Sequence, residues 1–201
     1  SLIIELFSWK RRASFSLLIF GKDDIAVIIE IKNIHKKYGS KQILKGIDLT
    51  VSAGKCIGIL GGNGSGKSTL LSILAGIGPA DCGEFLFDGK DLFSFPSERA
   101  RLIGYVPQGA GLIEELTAYD NLRLWYKKAA LKKELNEGFL KMLGIGDFLK
   151  TTVSKMSGGM KKRLSIGCAV ANRPPILLLD EPLAALDLKM RKDMQMELKD
   201  M

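Results

Sequence analysis

Residues 61–68 read Gly61-Gly62-Asn63-Gly64-Ser65-Gly66-Lys67-Ser68, which matches the phosphate-loop pattern G-x-x-x-x-G-K-[ST]. The loop follows a continuous apolar run over 56–60, which predicts a buried strand, and precedes a helical pattern over 67–75. Glycines permit backbone conformations in which successive N–H groups turn inward around a phosphate, and a helix start adds its positive dipole end. The stretch therefore predicts a site for a phosphorylated ligand rather than a simple glycine-rich turn.

The side chains that close the loop have the chemistry of a nucleoside triphosphate site. Lys67 can neutralise charge on the β- and γ-phosphates, and the Ser68 hydroxyl can bind Mg²⁺. Thr69 is placed to reach the α-phosphate. The loop thus predicts ATP-type binding together with a magnesium ion.

A second motif follows an apolar run over 176–179 and reads Asp180-Glu181. Asp180, at the end of a predicted buried strand, can hold the Mg²⁺ shell, and the adjacent Glu181 can polarise an attacking water. Many strands end in acidic turns, so the motif gains its meaning from the phosphate loop. The two together predict hydrolysis, with Glu181 and Lys67 as catalytic residues.

Strand-like and helical segments alternate along the chain, which predicts an α/β fold with a mainly parallel core sheet. Further strands are predicted at 27–31, 47–51, 84–87 and 102–106, with helical patterns at 117–143 and about 159–171. Residues 1–27 are predicted to be an N-terminal extension, since their apolar stretches are broken by Lys10-Arg11-Arg12 and no run of 18 apolar residues exists.

Composition narrows the classes of protein. The chain has 201 residues, 46% hydrophobic and 26% charged, which fits a globular domain and excludes a disordered or collagen-like one. Three widely spaced cysteines and a single histidine, His35, argue against a disulfide framework or a zinc site. The net charge of +8 predicts an acidic partner: nucleic acid, a phosphate-rich small molecule or an anionic membrane. Residues 120–163 hold eleven basic and four acidic residues.

One motif separates this chain from other phosphate-loop proteins. Met156-Ser157-Gly158-Gly159-Met160 resembles the LSGGQ signature of the ATP-binding subunits of ABC transporters. The resemblance covers about residues 28–201, and implies an antiparallel β part and an inserted helical subdomain at about 112–163. It also implies that Ser157, Gly158 and Gly159 contact the γ-phosphate held by a second subunit, in a head-to-tail dimer that sandwiches two ATP molecules.

Three further positions fit the family pattern, each with a simpler alternative. Tyr38 matches the aromatic that stacks on adenine, or is a half-buried strand-end tyrosine. Gln108 matches the glutamine that senses Mg²⁺, which would make it a catalytic residue, or is a polar loop residue. Leu186-Asp187 matches the loop that crosses the dimer interface, or Asp187 is a helix N-cap.

Departures from the pattern refine the expectation. Gly62 stands where proline is more usual, and Met160 replaces the signature glutamine in a form that resembles the exporting branch. The family's switch histidine lies beyond Asp187, whereas His35 is far upstream, so the chain resembles a domain truncated at its C-terminus.

The resemblance implies an ATPase subunit, a homodimer or heterodimer, peripheral on the cytoplasmic face of the membrane and driving a separate transmembrane permease. One alternative is a soluble ABC-type ATPase that acts on nucleic acid or the ribosome. Only 48 residues lie between Gln108 and Ser157, which leaves no room for a long coiled coil, and direct nucleic-acid binding is not expected. Another alternative is a nucleotide-binding fragment without turnover.

Overall fold

Two β-sheets and a set of short helices make up the part of the chain that the computed structural model describes, residues 3–6, 16–19, 28–52, 56–109 and 111–180. The elements are, in chain order, β1 Ile3–Leu6, β2 Ser16–Ile19, β3 Ile28–Tyr38, β4 Lys41–Ser52, β5 Cys56–Leu60, α1 Lys67–Ala75, β6 Cys82–Phe87, β7 Lys90–Asp91, α2 Pro96–Leu102, β8 Ile103–Val106, α3 Ala118–Arg123, α4 Lys128–Glu137, α5 Phe139–Met142, α6 Gly158–Ala169 and β9 Ile176–Leu179. Single 3₁₀ turns lie at Ile145–Phe148 and Val153–Lys155.

The larger sheet has the order β1-β5-β2-β9-β8. β8 and β9 pair in parallel, whereas β1 and β2 run antiparallel to their neighbours. Because β2 is antiparallel to both β5 and β9, the strands β5, β8 and β9 all point the same way. The smaller sheet is antiparallel throughout, with the order β4-β3-β6-β7.

The buried side chains form two clusters that meet at β9. The first, here called the loop core, joins the smaller sheet, β5 and α1, and includes Ile59, Leu70 and Phe85. The second, the helical core, joins α3 to α6 and includes Leu122 and Leu164. Side chains alternate along a strand, so Ile176 and Leu178 of β9 enter the loop core while Leu177 and Leu179 enter the helical core.

Local signals fix several helix ends. Thr117 and Asp120 form a reciprocal capping box at α3, and α1 ends at Gly76 in the left-handed conformation. The helix predicted from about 159 begins at Gly158, because the Ser157 hydroxyl accepts a hydrogen bond from the Met160 N–H at 3.3 Å.

The α/β class, the antiparallel part and the separate helical part predicted above are all present. The strands β5, β8 and β9 are parallel to one another, as predicted for the core sheet, whereas β1 and β2 add antiparallel pairings to it. The strands predicted at 27–31 and 47–51 are pieces of the long ribbon β3–β4, whose pairing runs from Ile28↔Ser52 to Tyr38↔Lys41. Within residues 1–27, β1 and β2 join the larger sheet, although no strand was predicted there. Among the described residues, no helix has the length and apolarity needed to cross a membrane.

Candidate functional site

The phosphate loop lies between β5 and α1, as the sequence predicts. It is closed by a hydrogen bond from Ser65 N–H to the Gly62 carbonyl at 3.2 Å. Gly66 has a φ of 100°, and a Cβ there would lie 2.9 Å from side-chain atoms of Ile43 and Leu44. Glycine is therefore required at 66 by both backbone conformation and close packing. Gly62 has open space where a Cβ would lie, so no packing contact requires glycine in place of the more usual proline.

Lys67 is 6% exposed and holds the loop from inside. Its ammonium donates to the carbonyls of Gly61 and Gly62 at 2.6 and 2.8 Å, and to the Ser65 hydroxyl at 3.4 Å. An incoming phosphate would compete with these carbonyls for the same ammonium protons. The charge predicted to bind phosphate is thus already placed at the loop.

The neighbouring residues of α1 differ in accessibility. Ser68 is exposed in the first turn, where its hydroxyl can bind a metal, and Thr69 is half-buried. Asn63 and Gly64 at the loop tip are exposed, so the tip is open to a ligand.

The ends of β5, β8 and β9 bring the remaining predicted residues to the loop. Ser16 of β2 pairs with both Gly58 and Leu179, so these two residues lie at the same level of the sheet. The Asp180 N–H donates to the Val106 carbonyl at 2.9 Å, and Gln108 follows two residues later, exposed. Phosphate loop, Gln108 and Asp180 therefore occupy one edge of the sheet, the edge where α/β proteins bind ligands.

Asp180 is a buried carboxylate, 4% exposed, at the end of β9. Its Oδ2 accepts a hydrogen bond from the Tyr105 hydroxyl at 3.1 Å. Its Oδ1 is buried and has no hydrogen-bond partner among the described residues. A buried carboxylate oxygen without a hydrogen bond destabilises the fold, and electrostatic attraction to a cation beside it would offset that cost.

The donor set fits Mg²⁺. That ion takes oxygen ligands, keeps several waters, and usually binds to one or two carboxylates plus substrate phosphates. A single Asp180 oxygen and the Ser68 hydroxyl are enough for such a site. Accordingly, the described part of the chain contains no group of three or more His, Cys, Asp or Glu side chains that would form an all-protein metal site.

Tyr105 was not among the residues predicted for the site. It faces Asp180 because Tyr105 pairs with Leu178, and residues two apart on a strand share a face. Burial, followed by the charge and hydrogen bond of Asp180, raises the pKa of Tyr105 above its usual range. Strand alternation across two neighbouring parallel strands is the signal that would have found it.

Tyr38 ends β3 and is 58% exposed, which favours a free aromatic face over a half-buried packing role. The β3–β4 ribbon links Tyr38 to the phosphate loop through a chain of neighbouring residues. Gly66 abuts Ile43 and Leu44, Leu44 pairs with Lys36, and Tyr38 is two residues further along β3. The aromatic ring thus lies on the strand that flanks the loop.

The signature residues belong to a different part of the molecule. Ser157 caps α6, Gly158 and Gly159 form its first turn, and the buried face of α6 lies in the helical core. The structure therefore groups the phosphate loop with Gln108 and Asp180, and places the signature on the other cluster. Glu181 and Leu186-Asp187 lie outside the described residues. His35 is half-buried and hydrogen-bonded to Asn33 and Gln42, which suits a structural role.

The fold and this sheet edge are those of the phosphate-loop nucleoside triphosphatase fold class. A family model described as ABC transporter matches residues 44–184. The chain belongs to this family, as an ATP-binding domain.

Two curated relatives share the name spermidine/putrescine import ATP-binding protein PotA. The one from Spiroplasma citri is 41% identical over 176 residues, covering 86% of this chain and 50% of the relative. The one from Bacteroides fragilis is 43% identical over 178 residues, covering 87% of this chain and 38% of the relative. The chain thus spans about half the length of the curated relatives it matches, or less.

Solved structures agree on the fold. An ATP-binding subunit of an ABC transporter superposes with a TM-score of 0.72 at 26% identity, covering 86% of this chain and 75% of that one. CbiO1 from Clostridium perfringens, part of the ABC transporter complex cbiONQ, superposes with a TM-score of 0.70 at 28% identity, covering 87% of this chain and 76% of that one. A bacterial Atm1-family ABC exporter with ATP bound superposes with a TM-score of 0.69 at 26% identity, covering 85% of this chain and 32% of that one.

Proposed function

We propose that this chain binds and hydrolyses Mg²⁺-ATP to drive a membrane transporter, and that the transporter imports its solute. The observation that carries the proposal is the pairing, at one sheet edge, of a formed phosphate loop with a buried Asp180 oxygen that has no hydrogen-bond partner in the part of the chain that the structure describes. A triphosphate held by the loop and a magnesium ion held by Ser68 and Asp180 would satisfy both.

The residues act by position and charge. The inward N–H groups of the loop and the helix dipole of α1 hold the phosphates, and Lys67 exchanges its loop carbonyls for phosphate oxygens. Magnesium, when bound, neutralises charge developing on the β- and γ-phosphates. Ser68 and Asp180 would ligate it, and Gln108, on the same edge, would report its presence to the segment that follows. Glu181 would orient the attacking water and accept its proton.

The direction of transport differs from the expectation drawn from Met160. The relatives that are 38% to 43% identical are named import proteins, whereas the exporter match is a structural one at 26% identity. We therefore assign import, with polyamines, the cargo in the relatives' name, as the first solutes to test. The Met160 form does not separate the two directions here.

The assembly follows from the signature. Ser157, Gly158 and Gly159 form a helix start that suits an anion, yet they lie on the helical core rather than at the loop. A second ATP-binding subunit, placed head to tail, would bring its signature to this loop and this signature to its loop. A separate permease would supply the pathway through the membrane and hold the domain, residues 28–201, at the cytoplasmic face.

Separate measurements of binding and turnover test the function. We expect the chain to bind Mg²⁺-ATP by titration calorimetry, with affinity lost when adenosine replaces ATP, because the loop recognises phosphate. Phosphate release distinguishes an ATPase from a binding module without turnover. Absence of ATP binding by the folded chain would refute the proposal.

A further inference from the structure

Tyr38 does not stand alone at the end of β3. The ammonium of Lys36, two residues earlier, lies 5.5 Å from the centroid of the Tyr38 ring. Lys36 is only 9% exposed, while Tyr38 is 58% exposed. A nearly buried cation therefore lies against a ring whose surface is mostly open. Cations within about 6 Å of an aromatic centroid are attracted to the ring.

Asp81 fixes the position of that cation. Its Oδ1 accepts from the Lys36 ammonium at 2.9 Å, and its Oδ2 accepts from the Lys37 N–H at 2.6 Å. The Asp81 N–H in turn donates to the His35 carbonyl at 3.0 Å. One aspartate, immediately before β6, thus holds three consecutive residues of β3 through both side chain and backbone.

A lysine so buried is almost never found unless its charge is paired. The paired Asp81 satisfies its charge and holds the ammonium near the ring rather than in solvent. An exposed tyrosine without such support would sample several rotamers, and a ligand that stacks on it would have to order it.

We propose that Lys36, held by Asp81, is a positioning residue for the nucleotide base, because it orders the Tyr38 ring as a stacking platform. The inference rests on the proposed function, since it takes Tyr38 as the platform for adenine. The Lys36 ammonium lies 5.5 Å from the ring centroid, and the base would stack on the exposed surface of the ring. The three hydrogen bonds from Lys67 to the loop involve neither Lys36 nor Tyr38.

The test compares two probes, Mg²⁺-ATP and Mg²⁺-tripolyphosphate, because only the first has a base. In the whole chain, Lys36→Met should raise the Kd for ATP by about two- to fivefold, with the Kd for tripolyphosphate unchanged. Asp81→Asn should act in the same direction. Lys36→Arg should restore ATP affinity, since a guanidinium can both pair with Asp81 and stack on the ring.

Lys32→Met is the matched control. Lys32 lies on the same strand, is exposed, and pairs with Glu30 at 2.8 Å, so it should leave both affinities unchanged. A simple structural role for Lys36 predicts that tripolyphosphate binding weakens in parallel with ATP, and that result would overturn the inference.

Tyr38→Ala separates this inference from the proposed function. We expect it to weaken ATP binding roughly tenfold, the loss of one stacked base, with tripolyphosphate unaffected. If Tyr38→Ala weakens ATP and Lys36→Met does not, the positioning role of Lys36 is wrong while the adenine platform stands. If Tyr38→Ala has no effect on ATP affinity, the platform itself is wrong.

Discussion

The Tyr105 hydroxyl donates a hydrogen bond to Asp180 Oδ2 over 3.1 Å. The pair joins neighbouring strands β8 and β9 at the edge that carries the phosphate loop. Because one carboxylate oxygen is held by Tyr105, the other is fixed in direction. Groups that orient a metal ligand in this way affect metal affinity strongly.

Tyr105→Phe should raise the Mg²⁺ concentration needed for half-maximal ATP turnover by about tenfold. It should also lower the free energy of unfolding by about 1 kcal/mol, the usual value of one hydrogen bond. A titration of Mg²⁺ at fixed ATP measures the first effect. Tyr119→Phe, a half-buried tyrosine of the helical core, is the control. An unchanged Mg²⁺ midpoint would show that Tyr105 does not orient Asp180.

Alkaline pH should destabilise the chain through two tyrosines. Burial raises the pKa of Tyr105 and of Tyr126, whose hydroxyl donates to the Gly167 carbonyl at 2.8 Å. Each folded-state pKa exceeds the unfolded value of about 10. The two tyrosines therefore make their full contribution to the free energy of unfolding below that pH. It is lost as pH rises further, because the unfolded chain ionises first.

Urea unfolding between pH 8 and pH 11 measures this dependence. The double variant Tyr105→Phe/Tyr126→Phe should show a shallower decline of unfolding free energy above about pH 10 than the unmodified chain. An identical decline in both proteins would assign the alkaline loss to other groups.

Lys67→Ala should abolish measurable ATP binding. Two charge-assisted bonds to phosphate are lost, a cost of roughly a hundredfold or more in affinity. Titration calorimetry checks it. Lys45→Ala removes an equal charge from an exposed position of β4 and should bind as the unmodified chain does. Retained tight binding by Lys67→Ala would contradict the phosphate-loop assignment.

Glu181→Gln should keep ATP binding and block turnover, because an amide cannot take the proton of the attacking water. In a complete domain the nucleotide-bound state should then accumulate as a dimer, visible by size-exclusion chromatography with light scattering. Glu137→Gln, at the end of α4, is the matched control. Turnover near the unmodified rate would remove Glu181 as the base.

Asn121→Ala should destabilise the chain by about 2–4 kcal/mol, because it leaves several buried groups unpaired. Asn121 is 2% exposed; its Oδ1 accepts from the Ile113 N–H, and its amide donates to the Ile113 and Thr117 carbonyls. Asn121→Asp should cost more still, since it sets a carboxylate against two carbonyls. Urea unfolding measures both, with exposed Asn172→Ala as control. A change below about 0.5 kcal/mol would refute this role.

The phosphate loop was predictable because its constraints are local. The glycines at 64 and 66 adopt positive φ, and the lysine and helix start follow in sequence. The continuous apolar run of β9 was equally readable as a buried strand. The roles of Tyr105 and Asp81 were not, because each depends on which strands become neighbours. Asp81 meets Lys36 across 45 residues, and Tyr105 meets Asp180 across 75.

Strands β1 and β2 show the same limit. Four-residue apolar segments are common, and only pairing with β5 and β9 identifies these as strands. The ribbon β3–β4 was underestimated for another reason. Its outer half is exposed and polar, so the apolar alternation that signals a strand fades before the pairing ends.

The parallel pairing of β8 with β9 has a consequence for how the chain is made. Ile103 must find Ile176, 73 residues later, and the intervening residues include the whole of the helical core's helices. Contacts within that helical segment are short in sequence and form fast, whereas the strand pairing is slow. On the ribosome, Asp180 therefore joins the phosphate loop after the helical segment has been made, and a nascent chain lacking β9 carries the lysine-bearing loop without the Asp180 carboxylate.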